Sequence, residues 1–323
     1  MNRDLQQTLF RLGPFIGLVL VVTFFAIASG APERYISAHN LRVVLAQTVI
    51  VAVGAIGMTL VIIAGGIDLS VGSVIALTGV VCALGLRDGW PPLVAVLAAV
   101  AAGSLIGLIN ALAITRLRVV PFIATLGMLG IARGAAKWLA HETTVNAPAS
   151  WVNELAVTVP PASWMLFAPG VWLALALAIL MAFVLRRTVF GRRVFALGSN
   201  EAAARACGIA VERLKLAIYS VAGLFVGLAG AMQMSRLRQG DPTVAIGTEL
   251  DVIAAVVIGG GSLSGGEGSI LGSMIGALVM AFLRNGSQQM GWPTYVQEIL
   301  IGVIIVAAVA VDRWRHAQGG DEQ

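Results

Sequence analysis

The sequence predicts an all-α fold: a polytopic bundle of about ten transmembrane helices, some interrupted, with both termini cytoplasmic. Three observations carry that prediction. Of 323 residues, 58% are hydrophobic and only 11% charged, and the mean hydropathy is +0.91. A soluble domain carries roughly a quarter charged residues and could not absorb this much apolar surface without exposing large sticky patches. The apolar residues fall into stretches close to the ~20 that cross a bilayer, and arginines gather in alternate segments between them. One transmembrane domain over 1–323 follows.

The first span is expected at about 13–30. Pro14–Ala28 follows Arg3 and Arg11 as a signal peptide would, but no small-residue cleavage site precedes Pro32, so a retained helix is expected. An external segment with Glu33, Arg34 and His39 leads to a second span, 41–64, ending at Gly65-Gly66. The third span resumes at 70–86, before the turn Arg87–Pro92; the fourth is 93–115 and the fifth 120–140. A polar stretch, 141–167, carries Trp151 and Trp164, suited to a membrane interface. The sixth span is 170–185, followed by an arginine-rich stretch at 186–214, and the seventh is 216–234. The eighth, 250–261, is short for a crossing and ends in GGGSLSGGEG. The ninth is 270–284 and the tenth 295–311.

Under this count Arg3, Arg11, Arg116, Arg118, Arg186, Arg187, Arg192, Arg193, Arg205, Arg213, Lys215, Arg313 and Arg315 share one side. Arg34, Arg42, Arg87, Arg236 and Arg238 fall on the other. The richer side is cytoplasmic by the positive-inside rule. That distribution accounts for the net charge of +5. With no basic patch interleaved with aromatics, nucleic acid is excluded as a partner. Cys82, within a span, and Cys207, in the cytoplasm, cannot form a disulfide.

Chemistry at membrane depth concentrates in Val61–Gly72, where an apolar helix meets Gly65, Gly66, Asp68, Ser70 and Gly72 before apolar sequence resumes. A carboxylate there needs partners, water or a helix end, and broken backbone is tolerated only where protein buries it or water reaches it. Asp68 is expected to N-cap the third span, at the edge of a translocation path. Val61–Ser73 and Val256–Ser269 resemble each other, each running from β-branched residues through glycines to a Gly-Ser pair. Doubled interrupted helices often flank a transport path, so Gly259, Gly260, Ser262, Gly265 and Gly266 join the candidates. Glu249 and Asp251, in the first turn of the eighth span, complement its dipole, and Asp251 is a further path candidate.

Ser262–Glu267 looks like the signature of cassette ATPases, but no phosphate-cradling GxxxxGK[ST] loop accompanies it. The chain is not expected to hydrolyse ATP. His39, His141 and His316 have no metal-ligand spacing, and no nucleophile–base pair stands out. In Gly191–Ile209, Gly191 and Gly198 punctuate, Asn200 is expected to cap a short helix through Ala202–Arg205, and Gly208 to stop it. Such a helix between spans is a docking knob, since about 30 polar residues exceed what a connection needs.

Together these residues resemble the membrane permeases of bacterial ATP-binding-cassette sugar importers of the ribose/xylose/arabinose type. The likeness covers nearly all the chain after residue 40. It rests on Ala55–Ile62, GGIDLSVGS (Gly65–Ser73), Val120–Met128, Gly191–Ile209, Glu249–Ser269, Asn285-Gly286 and Asp312. GGIDLSVGS is specific to the sugar branch. Cys207, Gly261 and Glu267 depart from the usual serine, threonine and basic residue. The resemblance implies a multi-pass protein of the bacterial inner membrane whose second permease copy, identical or similar, completes the path. A periplasmic sugar-binding protein delivers cargo, and two cytoplasmic ATPase subunits hold the ATP and magnesium, leaving this chain without a cofactor. It also implies that Gly191, Arg193, Gly198, Asn200, Glu201, Ala203, Ala204, Arg205 and Gly208 couple to the ATPase. The alternatives are a carrier driven by an ion gradient, with Asp68 titrating, and a cassette permease for a nucleoside or a furanone-type signal.

Overall fold

The computed structural model describes residues 3–158, 160 and 165–320; Trp164 lies outside them. Among these the helices are, in order, α1 (Arg3–Ala28), α2 (Pro32–Tyr35), α3 (Ala38–Ile63), α4 (Val71–Arg87), α5 (Pro92–Thr115), α6 (Pro121–Leu139), α7 (Pro169–Arg187), α8 (Val189–Ser199), α9 (Glu201–Ala206), α10 (Val211–Leu237), α11 (Thr248–Ile258), α12 (Ile270–Gln289) and α13 (Thr294–Gly320). All but α2, α8 and α9 fall on the ten expected apolar stretches. Helices α3, α5, α7, α10 and α12 are long and apolar enough to cross a membrane, and Leu12–Ala28, Val71–Arg87 and Thr294–Ala307 are shorter apolar helices. Helix α11 has 11 residues, a rise of about 16 Å, roughly half the hydrocarbon thickness. Two short strands, β1 (Val145–Asn146) and β2 (Gln239–Gly240), pair antiparallel and tie the 141–167 stretch to the chain after α10.

Helix α3 is the axis of the bundle, buried at every position from Ala52 to Ile63, as is α4 from Val71 to Val80. A helix apolar on all sides has no face to offer water. Around them α1, α5, α6 and α7 expose Leu20, Leu105, Phe122 and Ile179, a surface that only hydrocarbon covers without penalty.

Glycine sets how closely these helices approach. A methyl on Gly103 of α5 would collide with the Gly223 carbonyl oxygen of α10 and lie 2.7 Å from the Gly227 Cα. One on Gly107 would strike the Tyr219 carbonyl. The two GxxxG faces therefore pack backbone to backbone, which is how membrane helices gain dispersion contact where the hydrophobic effect cannot drive them together.

The Phe25 ring packs on Tyr35 and Trp292, with centroids 6.3 and 5.7 Å away. The end of α1 and the approach to α13 thus share one end of the bundle, so α1 runs toward it along the chain and α13 away from it. Helix α3, starting just after Tyr35, also runs away from it. The first turn of α1 and the last turn of α13 therefore lie at the end of the bundle where α3 stops.

The 186–214 stretch is more ordered than expected. It holds two helices, and Gly191 and Gly198 lie inside α8 rather than punctuating it. Both are glycine for want of room, against the Leu185 carbonyl and the Ile63 carbonyl respectively. Cys82 is buried, Cys207 exposed, and both are free.

Candidate functional site: joined helix breaks and a polar cavity

The two similar segments end their helices by the same device. At the end of α3, Gly65 N–H donates to the Ile62 carbonyl and Gly66 N–H to the Val61 carbonyl, both at 2.9 Å. At the end of α11, Gly260 N–H donates to Val257 and Gly261 N–H to Val256, again at 2.9 Å. Gly65 and Gly260 sit at φ +77° and +88°. Each is a Schellman cap, with glycine in the left-handed position. A methyl on Gly259 would run into Gly272 of α12, so the second break also packs closely.

The breaks touch one another. Gly266 N–H donates to the Ile63 carbonyl at 2.8 Å, and a methyl on Gly265, itself at φ +88°, would lie 2.8 Å from the Gly198 oxygen and 3.0 Å from the Gly65 Cα. Gly198, near the end of α8, wedges between them, its Cβ position against the Ile63 oxygen and 2.6 Å from Gly266 N. Three glycine segments distant in sequence thus meet backbone to backbone. Ser262, buried in the same loop, accepts from Ser264 N–H at 3.2 Å, so Ser262–Glu267 is a packed turn.

Asp68 is buried but does not cap α4, whose N-cap is Ser70 without a side-chain bond. Its Oδ1 accepts from Ser70 N–H at 2.9 Å and Ser70 Oγ–H at 2.6 Å. That is an Asx turn inside the break: the carboxylate satisfies the loop instead of the helix end because Ser70 intervenes. Asn110 of α5 donates to Ser70 Oγ at 3.2 Å, and Thr125 of α6 donates to the Ile67 carbonyl at 3.1 Å. The Tyr219 hydroxyl of α10 closes over Gly66, without a hydrogen-bond partner among the described residues. Gly72 faces the Glu249 carboxylate and the Ala245 carbonyl, leaving no space for a side chain.

Helices α8 and α9 form an elbow at the end of the bundle that holds the breaks. Asn200 Oδ1 accepts from Ala203 N–H at 2.9 Å, the expected cap. Gly208 at φ +81° ends α9 with Ile209 N–H on the Ala204 carbonyl, a third Schellman cap. Arg193, Glu201, Ala203, Arg205 and Gly208 are exposed, whereas Gly191 and Ala204 are buried and face inward. Arg205 pairs with Glu212 at 2.6 Å and Glu201 at 3.3 Å, while Lys215 reaches Glu201 at 2.8 Å. The Lys215 hydrogen bond, with Arg205 beside it, holds the Glu201 carboxyl below its ordinary range. These charges brace α9 on α10, making the elbow stiff.

Asp251 lies apart, about 12 Å along α11 from its break. It is 4% exposed, and its Oδ2 accepts from Arg284 of α12 at 2.6 Å. This pair, more than the helix dipole, accounts for a buried carboxylate there. The pair lines a cavity of about 530 Å³, with Gln47 and Thr48 of α3, Gln233 and Arg236 of α10, and Gln288 of α12. That volume lies in the roughly 300–1,000 Å³ range of small-molecule sites. Arg236 and Gln288 place the cavity toward the end of the bundle opposite the breaks. Chain 241–247 dips past it, held by Arg133 Nη1, which donates to the Pro242 and Val244 carbonyls at 2.9 and 2.7 Å.

Gln47, Gln233 and Arg284 are polar residues inside apolar spans, a signal that could have marked them. Arg236 was legible only as a residue flanking a span, because its place in the last turn of α10 depends on where that helix ends.

Membrane-crossing helices, a half-length helix with a broken partner, and a polar cavity among them define a transport protein. The profile of the family described as branched-chain amino acid transport system / permease component matches residues 40–309. The chain belongs to that family of import permeases. It is 40% identical over 295 residues to the ribose import permease protein of Escherichia coli K12, covering 91% of this chain and 92% of that one. With the ribose import permease protein of Bacillus subtilis it shares 39% over 315 residues (95% and 94%), and with the fructose import permease protein of Rhizobium meliloti 35% over 306 (93% and 84%). No solved structure matches the chain.

Proposed function

We propose that this permease carries a monosaccharide inward across the bacterial inner membrane, delivered by a periplasmic binding protein and powered by two cytoplasmic ATPase subunits. The similar proteins named for ribose and fructose, and the GGIDLSVGS segment, favour sugar over amino acid cargo. A second permease copy completes the path, and ATP and magnesium stay on the ATPase. The carrying observation is the wedge of Gly198 between the Ile63 carbonyl and Gly266.

The elbow's exposed face, with Arg192, Arg193, Ala203 and Arg205, docks the ATPase. A displacement there cannot be absorbed at Gly198, because the surrounding atoms are backbone. It passes to the ends of α3 and α11 together. Moving α11 moves Asp251 relative to Arg284 and reshapes the cavity, so closure of the ATPases at one end opens or shuts the sugar site at the other. Packed elements with two discrete arrangements transmit motion this way.

The test replaces Asn200–Arg205 with a Gly/Ser linker in the reconstituted importer. Uptake and stimulation of ATP hydrolysis by the binding protein should both be lost at normal membrane levels of the chain. Surviving coupled uptake would overturn the docking role. Uphill accumulation by the chain alone in liposomes would favour the ion-driven carrier instead.

A further inference from the structure

We propose that the cavity takes an anionic monosaccharide, a sugar acid whose carboxylate lies against Arg236. The inference rests on the sugar-import reading and narrows its cargo. It starts from the charges in the cavity. Arg284 and Asp251, paired at 2.6 Å, cancel one another. Arg236 lines the same cavity, and among the described residues no carboxylate lies within ion-pair distance of it. One positive charge is therefore left over in the cavity wall, in the last turn of α10, with no protein anion to match it.

The pair itself is half-used. Asp251 Oδ1 and Arg284 Nε are both buried and without partners. Both atoms have essentially no accessible surface, so recognition of a ligand falls to Arg236 and the amides beside it. A polyhydroxylated carboxylate suits this wall: its two oxygens match the planar fork of Arg236, and its hydroxyls exchange hydrogen bonds with the Gln47, Gln233 and Gln288 amides that line the same cavity. Among the described residues no aromatic ring lines the cavity, and the recognising groups there are polar. A neutral sugar would leave Arg236 unmatched.

The experiment titrates the purified full-length chain in nanodiscs with D-gluconate, D-galacturonate, D-galactose, D-ribose and acetate at constant ionic strength. The two sugar acids should bind about 10-fold or more tighter than the neutral sugars, and tighter than acetate, which lacks the hydroxyls. Arg236→Gln should abolish the preference and Arg236→Lys should keep part of it. Because Arg236 is exposed to the cavity, both variants should reach the membrane at normal levels. Tighter binding of ribose or galactose overturns the proposal and leaves the import function standing. A preference that persists in Arg236→Gln, or acetate binding as well as gluconate, also overturns it.

Discussion

Replacing Gly198 by alanine should uncouple the transporter while leaving the chain folded. The added methyl would sit 2.6 Å from Gly266 N, against 3.4 Å for ordinary contact, a shortfall of about 0.8 Å, and closer still to the Ile63 oxygen. Both neighbours are backbone, so neither can swing aside as a side chain would. Overpacking of this kind costs about 1–3 kcal/mol, and it is relieved by backing α8 out of the wedge. A coupling free energy of that size corresponds to roughly 5- to 150-fold. The assay is ATP-driven uptake in proteoliposomes holding the full importer, normalised to the chain present. Uptake should fall by a factor in that range while basal ATP hydrolysis persists. Gly208→Ala is the control: φ is +81° but nothing lies within 4 Å, so the cost is about 1–2 kcal/mol of backbone strain, confined to the end of α9. If Gly198→Ala transports as well as the unaltered chain, the rigid junction is not the transmission route.

Gly103→Leu should prevent α5 and α10 from meeting and cost more than about 3 kcal/mol; the amount of chain in the membrane and its thermal stability in detergent would show it, and near-normal values would refute the backbone packing. Arg133→Ala removes two hydrogen bonds to carbonyls, each worth about 1.5–3 kcal/mol when the donor is charged. Amides of 241–247 should then exchange with deuterium at least about 10-fold faster, with α3 unchanged as the internal reference. Because its pKa is lowered in the folded state, Glu201 should lend α9 its full support above the ordinary value of 4.5 and lose it as pH falls through the lower folded one. Exchange in α9, corrected for intrinsic rates, should be flat from pH 7 to 5 and rise in stronger acid. With Glu201 and Arg205 about half-exposed and Lys215 partly so, screening by water keeps the effect at about 1 kcal/mol or below, and Glu201→Gln should abolish it.

Much of this was legible before any coordinates, because bilayer and backbone impose local rules. Asn200 reads as a cap since its side chain reaches an amide three residues on, and Gly208 as a stop since only glycine takes the left-handed bend cheaply. The likeness between Val61–Ser73 and Val256–Ser269 is one of structure, since β-branched residues running into paired glycines end a helix by the same two hydrogen bonds. Asp68 misled for a local reason too: an Asp two residues before a buried serine has an Asx turn open to it as well as a helix cap, and the turn wins when Ser70 N–H and Oγ–H are both free. Gly191 and Gly198 read as punctuation because a missing side chain looks the same whether it frees a turn or admits a neighbour.

By itself the sequence determined the class of protein, the order of its apolar spans and the existence of two breaks, all set by hydropathy, charge and backbone chemistry within a few residues. Tertiary structure alone decided that Gly65, Gly198 and Gly266 meet at one junction, and that Asp251 pairs with Arg284 in a cavity where Arg236 stands unmatched. Uniformly apolar helices carry no mark of which face turns inward, so contacts between residues 60 to 200 positions apart follow only from how glycine faces let those helices close upon one another.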